Sequence, residues 1–261
     1  MKDLRLVFAD DELQKECINF AKKYAIKKTF RLLRLHTTNN KIVSEDYKNH
    51  NVWAVELKNI FWQKQGMRCA ICEKELNEVN SYDVEHYIPK TEFWWFAYHT
   101  INYYVACGTC NRIEKKDNFP FLQPTPIFSY ANRKSISNYT PLLINPLHEN
   151  PYDYFRVIFQ IDAKTNKKVV ILAPLKKLEI LQHQKALATI TLLNLNLKKE
   201  PVPSRVVQME WNIKLYNKLF GLAQKVKNNE PDLQEYFDNL DEDYKNLGYT
   251  AMIMAGNVEI L

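Results

Sequence analysis

The feature that most constrains this chain is a pair of C-x-x-C motifs. Cys69 and Cys72 form the first motif, and Cys107 and Cys110 form the second, with 34 residues between them. Four thiolates brought to one point are the ligand set of a tetrahedral structural zinc site, which leaves no open position for catalysis. The spacing therefore predicts that zinc holds this segment together and that removing the zinc unfolds it.

Two other readings of the cysteines need to be weighed. A single C-x-x-C motif is also typical of a thioredoxin-like redox site, but neither motif here opens a helix within a β-α-β pattern. Zinc ribbons that only bind protein or nucleic acid carry the same four cysteines, so the residues between the motifs decide between a binding module and an enzyme. The fifth cysteine, Cys17, lies in an amphipathic helical pattern and is predicted to be a small residue on a helix face.

Composition and periodicity predict an α+β, mostly helical fold. Only five glycines occur in 261 residues, which favours helices over the many turns of an all-β sandwich. Alternation at 155–172 predicts a β-hairpin that turns at AKTNK, and the prolines between 120 and 141 predict an irregular arm. Helical spacing is found at 11–34, 53–65, 175–195, 206–226 and 231–248.

Charge and targeting signals limit the location and the partners. The net charge of +6 suits an anionic partner without resembling a histone-like tail. The chain has no uninterrupted apolar run of the length that spans a bilayer, and its first residues lack the order of a signal peptide. We therefore expect a cytoplasmic protein, in which paired cysteines bind metal rather than form disulfides.

Between the two cysteine motifs lies a group of residues that a zinc ribbon does not need. The string Tyr82-Asp83-Val84-Glu85-His86-Tyr87-Ile88-Pro89-Lys90 follows the first motif. Asn102 precedes Cys107 by five residues, and Asn111 directly follows Cys110. This arrangement resembles the HNH, or ββα-metal, endonuclease family, in which an acidic residue and a histidine end a strand between two zinc knuckles.

The resemblance implies a role for each of these residues. His86 would be the general base that takes a proton from water, for which a pKa near neutrality is suitable. Glu85 and Asn111 would hold a divalent cation, and their oxygen donors favour Mg²⁺ or Mn²⁺ over a second Zn²⁺. Asn102 would orient the loop that carries His86 through hydrogen bonds to the backbone. Asp83 shares a strand face with Glu85, so it is either a further metal ligand or a structural acceptor.

The neighbouring side chains allow two readings each. Lys90 and the cluster of Arg112, Lys115 and Lys116 would neutralise phosphates beside the scissile bond, or would form an ordinary solvated face. Asn111 is also suited to cap the helix that follows it. In the aromatic insertion, Trp94 and Trp95 are predicted to pack rather than to stack on a base, and His99 is a weaker candidate for a metal or phosphate contact.

The similarity is most specific to the PtuB-like nucleases of Septu and retron-linked bacterial anti-phage defence systems. It covers 52–205 and includes Phe119-Pro120, the LLINP string that begins at Leu142, and Asn150-Pro151. The resemblance implies an effector that cuts DNA and works with an ATPase partner. This chain has no G-x-x-x-x-G-K-[ST] motif of its own, so any ATP dependence is expected to come from that partner. The chain departs from the family at Leu147 and His148 and lacks a Lys-Gly pair after Asn111.

Taken together, the sequence predicts a zinc-stapled ββα-metal HNH core with flanking helices. The expected parts are an N-terminal helical segment and linker at 1–50, the nuclease core at 51–125, and an irregular arm, hairpin and helical region at 126–261. The function expected is hydrolysis of DNA phosphodiester bonds. The alternatives are a zinc-ribbon binding module without catalysis and a nuclease that acts on RNA.

Overall fold

The structure is a computed structural model that describes residues 1–23, 56–77, 82–163, 166–196 and 203–261. The chain divides into two compact units. The first unit comprises 4–71 and 75–149, and the second comprises 1–3, 72–74 and 150–261. The predicted α+β architecture is confirmed, since helices accompany one two-stranded and one three-stranded sheet.

Helices open the first unit. They are α1 (Arg5–Phe8), α2 (Asp11–Lys23) and α3 (Glu56–Lys64). Leu13 of α2 is buried, and the Lys64 ammonium at the end of α3 lies 2.6 Å from the Glu12 carboxylate. The helix predicted at 11–34 is seen as far as Lys23, and 24–34 lie outside the described residues. Gly66 follows α3 with a positive φ of 67°, a conformation that glycine adopts readily where a helix ends.

A two-stranded antiparallel sheet follows, made of β1 (Tyr82–His86) and β2 (Tyr103–Cys107). Tyr82 faces Cys107 and His86 faces Tyr103 in the register. A seven-residue π-helix, Thr109–Lys115, begins two residues after β2. The order of elements in this part of the first unit is therefore strand, strand, helix, with the cysteine motifs before β1 and at the junction between β2 and the π-helix.

Aromatic residues fill the space between the strands and the irregular arm of the first unit. Trp94 and Trp95 are buried, as predicted, and Trp94 stacks on Tyr130 with ring centroids 5.1 Å apart. The arm has a 3-10 turn at Arg133–Asn138 and pairs with itself through an isolated bridge between Phe121 and Pro141. Prolines leave backbone positions without an N–H, so a longer ladder does not form here.

The second unit is built on a three-stranded sheet in the order β4-β3-β5. The predicted hairpin is confirmed as β3 (Phe155–Ile161) and β4 (Lys168–Pro174), which pair antiparallel. The third strand, β5 (Val258–Ile260), pairs parallel with β3 and was not predicted. Its three residues are too few to show an alternating pattern in the sequence.

Five helices belong to this unit among the described residues. They are α4 (Ile180–Leu192), α5 (Pro203–Asn228), α6 (Leu233–Asp238), α7 (Glu242–Lys245) and α8 (Gly248–Met254). The single helix predicted at 231–248 is wrong. Asp241 and Leu247 have extended ψ angles of 137° and 146°, which interrupt the helical path, and the N–H of Gly248 is held by the buried Glu73 carboxylate at 2.6 Å. In the described part of the chain, every helix is too short or too polar to cross a membrane.

Candidate functional site

The four cysteines predicted to hold zinc come together. The Sγ atoms of Cys69, Cys72, Cys107 and Cys110 all lie within 4.8 Å of one another. A zinc ion with bonds of about 2.3 Å to tetrahedral sulfurs requires sulfur separations of about 3.8 Å, so a small contraction suffices. The backbone N–H of Cys107 points at the sulfur of Cys69, 3.3 Å away. The cluster can therefore hold a metal ion such as zinc.

Gln65 connects this cluster to the sheet and was not identified from the sequence. Its side chain is fully buried. The amide oxygen accepts the N–H of Val105 at 2.7 Å, and the amide nitrogen donates to the carbonyl oxygens of Val105 and Arg68 at 3.1 and 3.3 Å. The turn before Cys69 is thereby joined to β2. No sequence signal marks this residue, since glutamine is common at the end of a helix.

Glu85 on β1 is paired with Lys115 at the end of the π-helix. The Lys115 Nζ lies 2.6 Å from Glu85 Oε1 and donates to the backbone oxygen of His86 at 2.9 Å. Glu85 is 6% and Lys115 1% exposed. Burial raises the pKa of Glu85, and the nearby Lys115 charge opposes that increase. The buried position of Lys115 differs from the phosphate-facing role considered for it, because a 1% exposed ammonium has no surface to offer a polyanion.

His86 ends β1 and points away from Glu85, because successive residues of a strand alternate between faces. The ring is 3% exposed, and its Nε2 lies 3.1 Å from the carbonyl oxygen of Ala97. A carbonyl oxygen only accepts, so Nε2 carries the proton in the neutral ring and Nδ1 carries the lone pair. The edge of Tyr103 packs at 4.8 Å, and the Tyr103 hydroxyl also donates to Ala97. Burial, and secondarily the Lys90 charge, place the pKa of His86 well below its ordinary value.

Asn102 fastens the segment that follows His86. Its side-chain oxygen accepts the N–H of Ile88 at 2.8 Å, and its side-chain nitrogen donates to the carbonyl oxygen of Ile88 at 3.0 Å. Its own backbone oxygen accepts the N–H of Tyr87 at 2.9 Å. The side chain therefore satisfies both backbone groups of one residue, as a neighbouring strand would, and fixes the backbone immediately after the histidine.

Asp83 joins β1 to the exposed side of the π-helix. Arg112 binds it through two hydrogen bonds, Nε to Oδ2 at 2.7 Å and NH2 to Oδ1 at 2.8 Å. Asn111 donates to the same carboxylate at 3.3 Å. The expectation that Asn111 caps the helix is wrong, because Gly108 occupies the N-cap position and Asn111 lies inside the helix. Asn111 therefore contacts Asp83, whereas Glu85 is paired with Lys115. Carboxylate and amide oxygens such as theirs are the donor types that a hard cation binds.

One comparison with known proteins bears directly on this arrangement. The chain is 24% identical over 196 residues to the Septu protein PtuB of Bacillus mycoides (strain KBAB4). The matched region is 66% of this chain and 61% of the relative, so it spans less than two thirds of the relative's length. No protein-family model matches the chain, and no solved structure matches it.

The remaining basic and reactive side chains of the chain occupy different environments. Lys116 is exposed, Lys90 is half-buried, and Arg112 is 64% exposed although paired with Asp83. His99 is exposed and packs edge-on against Phe96. Cys17 is buried, and burial raises the pKa of its thiol, which fits its prediction as an unreactive helix-face residue.

Metal-ligand geometry separates the two predicted ions. Within the described residues, the four cysteines are the side chains of metal-binding type that lie close enough together for three or more of them to bind one ion. The proposed second site has two carboxylates and one amide, and both carboxylates are already paired with basic side chains. The donor types suit Mg²⁺ or Mn²⁺, but a bound cation would have to compete with Lys115 for Glu85.

Proposed function

We propose that this chain is a metal-dependent HNH endonuclease that cuts DNA as an effector of a bacterial anti-phage defence system. The observation that carries the proposal is the order of elements around the cysteine cluster. Strand β1 ends in Glu85-His86, β2 returns antiparallel to it, and a helix with Asn111 follows directly. This order, together with the resemblance to PtuB, supports a ββα-metal core within 51–125.

In this proposal His86 is the general base. Its Nε2 proton is directed to Ala97, so Nδ1 is the atom that takes a proton from the attacking water. A pKa well below 6.5 keeps the ring neutral, and hence able to accept a proton, at physiological pH. Because the ring is 3% exposed, access of water and substrate requires that the segment around Ala97 move.

Two kinds of metal ion belong to the proposal. Zn²⁺ held by Cys69, Cys72, Cys107 and Cys110 would keep β2 and the preceding turn together and take no part in the reaction. Glu85 and Asn111, with Asp83 as a third donor, would hold Mg²⁺ or Mn²⁺. When bound, such an ion supplies positive charge to the transferred phosphoryl group and the departing 3′ oxygen.

The chain's own residues would also position the substrate. Asn102 holds the backbone after His86, so that the ring keeps one orientation relative to the phosphodiester. Lys90, whose charge acts on Glu85 and His86, and the exposed Lys116 would bind neighbouring phosphates, as would Arg112 if released from Asp83. The net charge of +6 favours a polyanionic substrate. By its resemblance, the chain would act with an ATPase partner in the cytoplasm.

The pairing of Glu85 with Lys115 favours a second candidate, a zinc-ribbon binding module without catalysis. A carboxylate that is permanently neutralised by a buried ammonium needs no divalent ion, and a histidine that is 3% exposed is also explained as a packed core residue. Asn102 and the π-helix would then only stabilise the ribbon. The two candidates differ in whether His86 is required for cleavage.

The test is incubation of the purified, zinc-loaded chain with supercoiled plasmid, linear duplex and RNA, in EDTA, Mg²⁺ or Mn²⁺. The nuclease proposal predicts cutting of DNA that requires added metal and is lost in His86→Ala. His148→Ala, which alters an exposed histidine of the same unit, should cut like wild type. If the chain binds DNA but does not cut it with any of the metals, even when the ATPase partner is added, the binding module is supported. If the chain cuts RNA and not DNA, the proposal that DNA is the substrate is refuted.

A further inference from the structure

Lys115 is a buried cation for which the proposed reaction has no use. Its Nζ contacts Glu85 Oε1 at 2.6 Å, the His86 carbonyl oxygen at 2.9 Å and the Lys116 carbonyl oxygen at 3.4 Å. Lysine is among the residues that are almost never fully buried unless paired, and here the side chain is 1% exposed. An ammonium in this position therefore depends on Glu85 for its charge balance.

The helix that carries Lys115 is unusual in its hydrogen bonding. The N–H of Lys116 donates to the carbonyl oxygen of Asn111 at 2.8 Å, a bond that spans five residues instead of four. Lys116 then leaves the helix with φ 50° and ψ −130°. Such π-turns are rare in proteins and are frequently found at functional sites. In this chain it brings Lys115 and Asn111 to the same strand, where they contact Glu85 and Asp83.

The charges around Glu85 determine which cation it can hold. The Lys115 ammonium occupies one side of the Glu85 carboxylate at 2.6 Å, and both side chains are buried. An ammonium 2.6 Å from the carboxylate and a divalent ion bound to the same carboxylate would repel each other strongly at that separation. A metal ion at Glu85 and the Lys115 side chain in its present position therefore exclude each other.

We propose that Lys115 is a resident cation of the Glu85 site, and that a divalent metal binds there only by displacing it. The proposal rests on the proposed function, since it concerns the metal site of that reaction. Lys115 thus acts as a positioning residue that holds the Glu85 carboxylate in one orientation while the metal is absent. It also sets the metal affinity of the site below that of the same donors without an ammonium.

A charge-removing substitution separates this role from a purely structural one. Lys115→Met keeps the length of the side chain and removes the charge, which leaves a buried carboxylate without its partner. Such a carboxylate gains most from a metal ion, so the variant should bind Mn²⁺ at least about tenfold more tightly than wild type, which is a change of about one unit in log Kd. The double variant Lys115→Met/Glu85→Gln has neither charge and should bind Mn²⁺ no more tightly than wild type.

The measurement is a Mn²⁺ titration of the zinc-loaded full chain, followed by the electron paramagnetic resonance of free Mn²⁺. Lys134→Met, which removes an exposed lysine of the same unit, controls for the change in net charge and should leave the affinity unchanged. An unchanged or weaker Mn²⁺ affinity in folded, zinc-loaded Lys115→Met would overturn the proposal. If Lys115→Met is unfolded in the absence of Mn²⁺, adding Mn²⁺ should restore a cooperative melting transition. If Mn²⁺ does not restore that transition although the double variant folds, the proposal is likewise overturned.

The readout separates this inference from the proposed function. Tight Mn²⁺ binding by Lys115→Met, without cleavage by wild type or any variant, would refute the nuclease and leave the role of Lys115 standing. Metal-dependent cleavage by wild type, with no gain of affinity in Lys115→Met, would refute the role of Lys115 and leave the nuclease standing.

Discussion

Replacing Asn102 with alanine should destabilise the first unit more than most single substitutions. The side chain is 4% exposed and satisfies the N–H and the C=O of Ile88 at 2.8 and 3.0 Å. Losing two hydrogen bonds of about 1 kcal/mol each, with partial exposure of the orphaned groups to water, gives a loss of about 2–4 kcal/mol. For a chain of this size that corresponds to a fall in melting temperature of about 4–16 °C.

The assay is thermal unfolding followed by circular dichroism, with zinc present and zinc content measured before each scan. Asn77→Ala is the matched control, because Asn77 is an exposed asparagine of the same unit and its loss should leave the melting temperature unchanged. If the Asn102→Ala chain melts at the wild-type temperature, the two bonds to Ile88 do not hold the segment after His86, and the positioning role assigned to Asn102 fails.

Three further predictions concern other parts of the chain. Gly248→Ala would bring a methyl group to 2.7 Å from Glu73 Oε1 and should lower the free energy of unfolding, measured in urea, by about 1–3 kcal/mol. In the control Gly108→Ala, the new methyl group has no atom within 4 Å, and the free energy of unfolding should change by less than about 0.5 kcal/mol. The pKa of His86 in the folded chain lies well below its ordinary value of 6.5, so the unfolded chain binds more protons than the folded chain as the pH falls through that value. The free energy of unfolding should therefore decrease as the pH is lowered from about 8 to 5. The decrease should be less steep in a His86→Asn variant, which has no imidazole to protonate. Cys69→Ser should reduce zinc content, measured by elemental analysis, and lower the urea midpoint, and a fully zinc-loaded, equally stable variant would contradict the structural role of the cluster.

The elements that the sequence predicted well are those with local signals. The hairpin at 155–172 has alternating residues and a polar turn, and the structure places its strands at Phe155–Ile161 and Lys168–Pro174. The cysteine cluster could also be predicted, because two C-x-x-C motifs each bring two thiolates together irrespective of the fold around them. Spacing along the chain was sufficient in both cases.

Features that depend on distant parts of the chain were not predictable. Lys115 lies in a charged stretch with Arg112, Glu114 and Lys116 and resembled a member of a solvated basic face, yet its partner is Glu85 on another element. Gln65 gave no sign that it would pair with both backbone groups of Val105. The helix predicted at 231–248 is broken partly because the buried Glu73, far away in sequence, holds the N–H of Gly248. Tertiary contacts override local propensity at these positions.

The central claim is that His86 is the base of a metal-dependent nuclease, and one rate comparison tests it most directly. Plasmid cleavage in saturating Mn²⁺ would be measured for wild type, His86→Ala and His148→Ala at equal zinc content and equal DNA binding. Removal of the general base should lower the rate of His86→Ala by at least about 100-fold, whereas His148→Ala should cut at the wild-type rate. Cleavage by His86→Ala at the wild-type rate would contradict it.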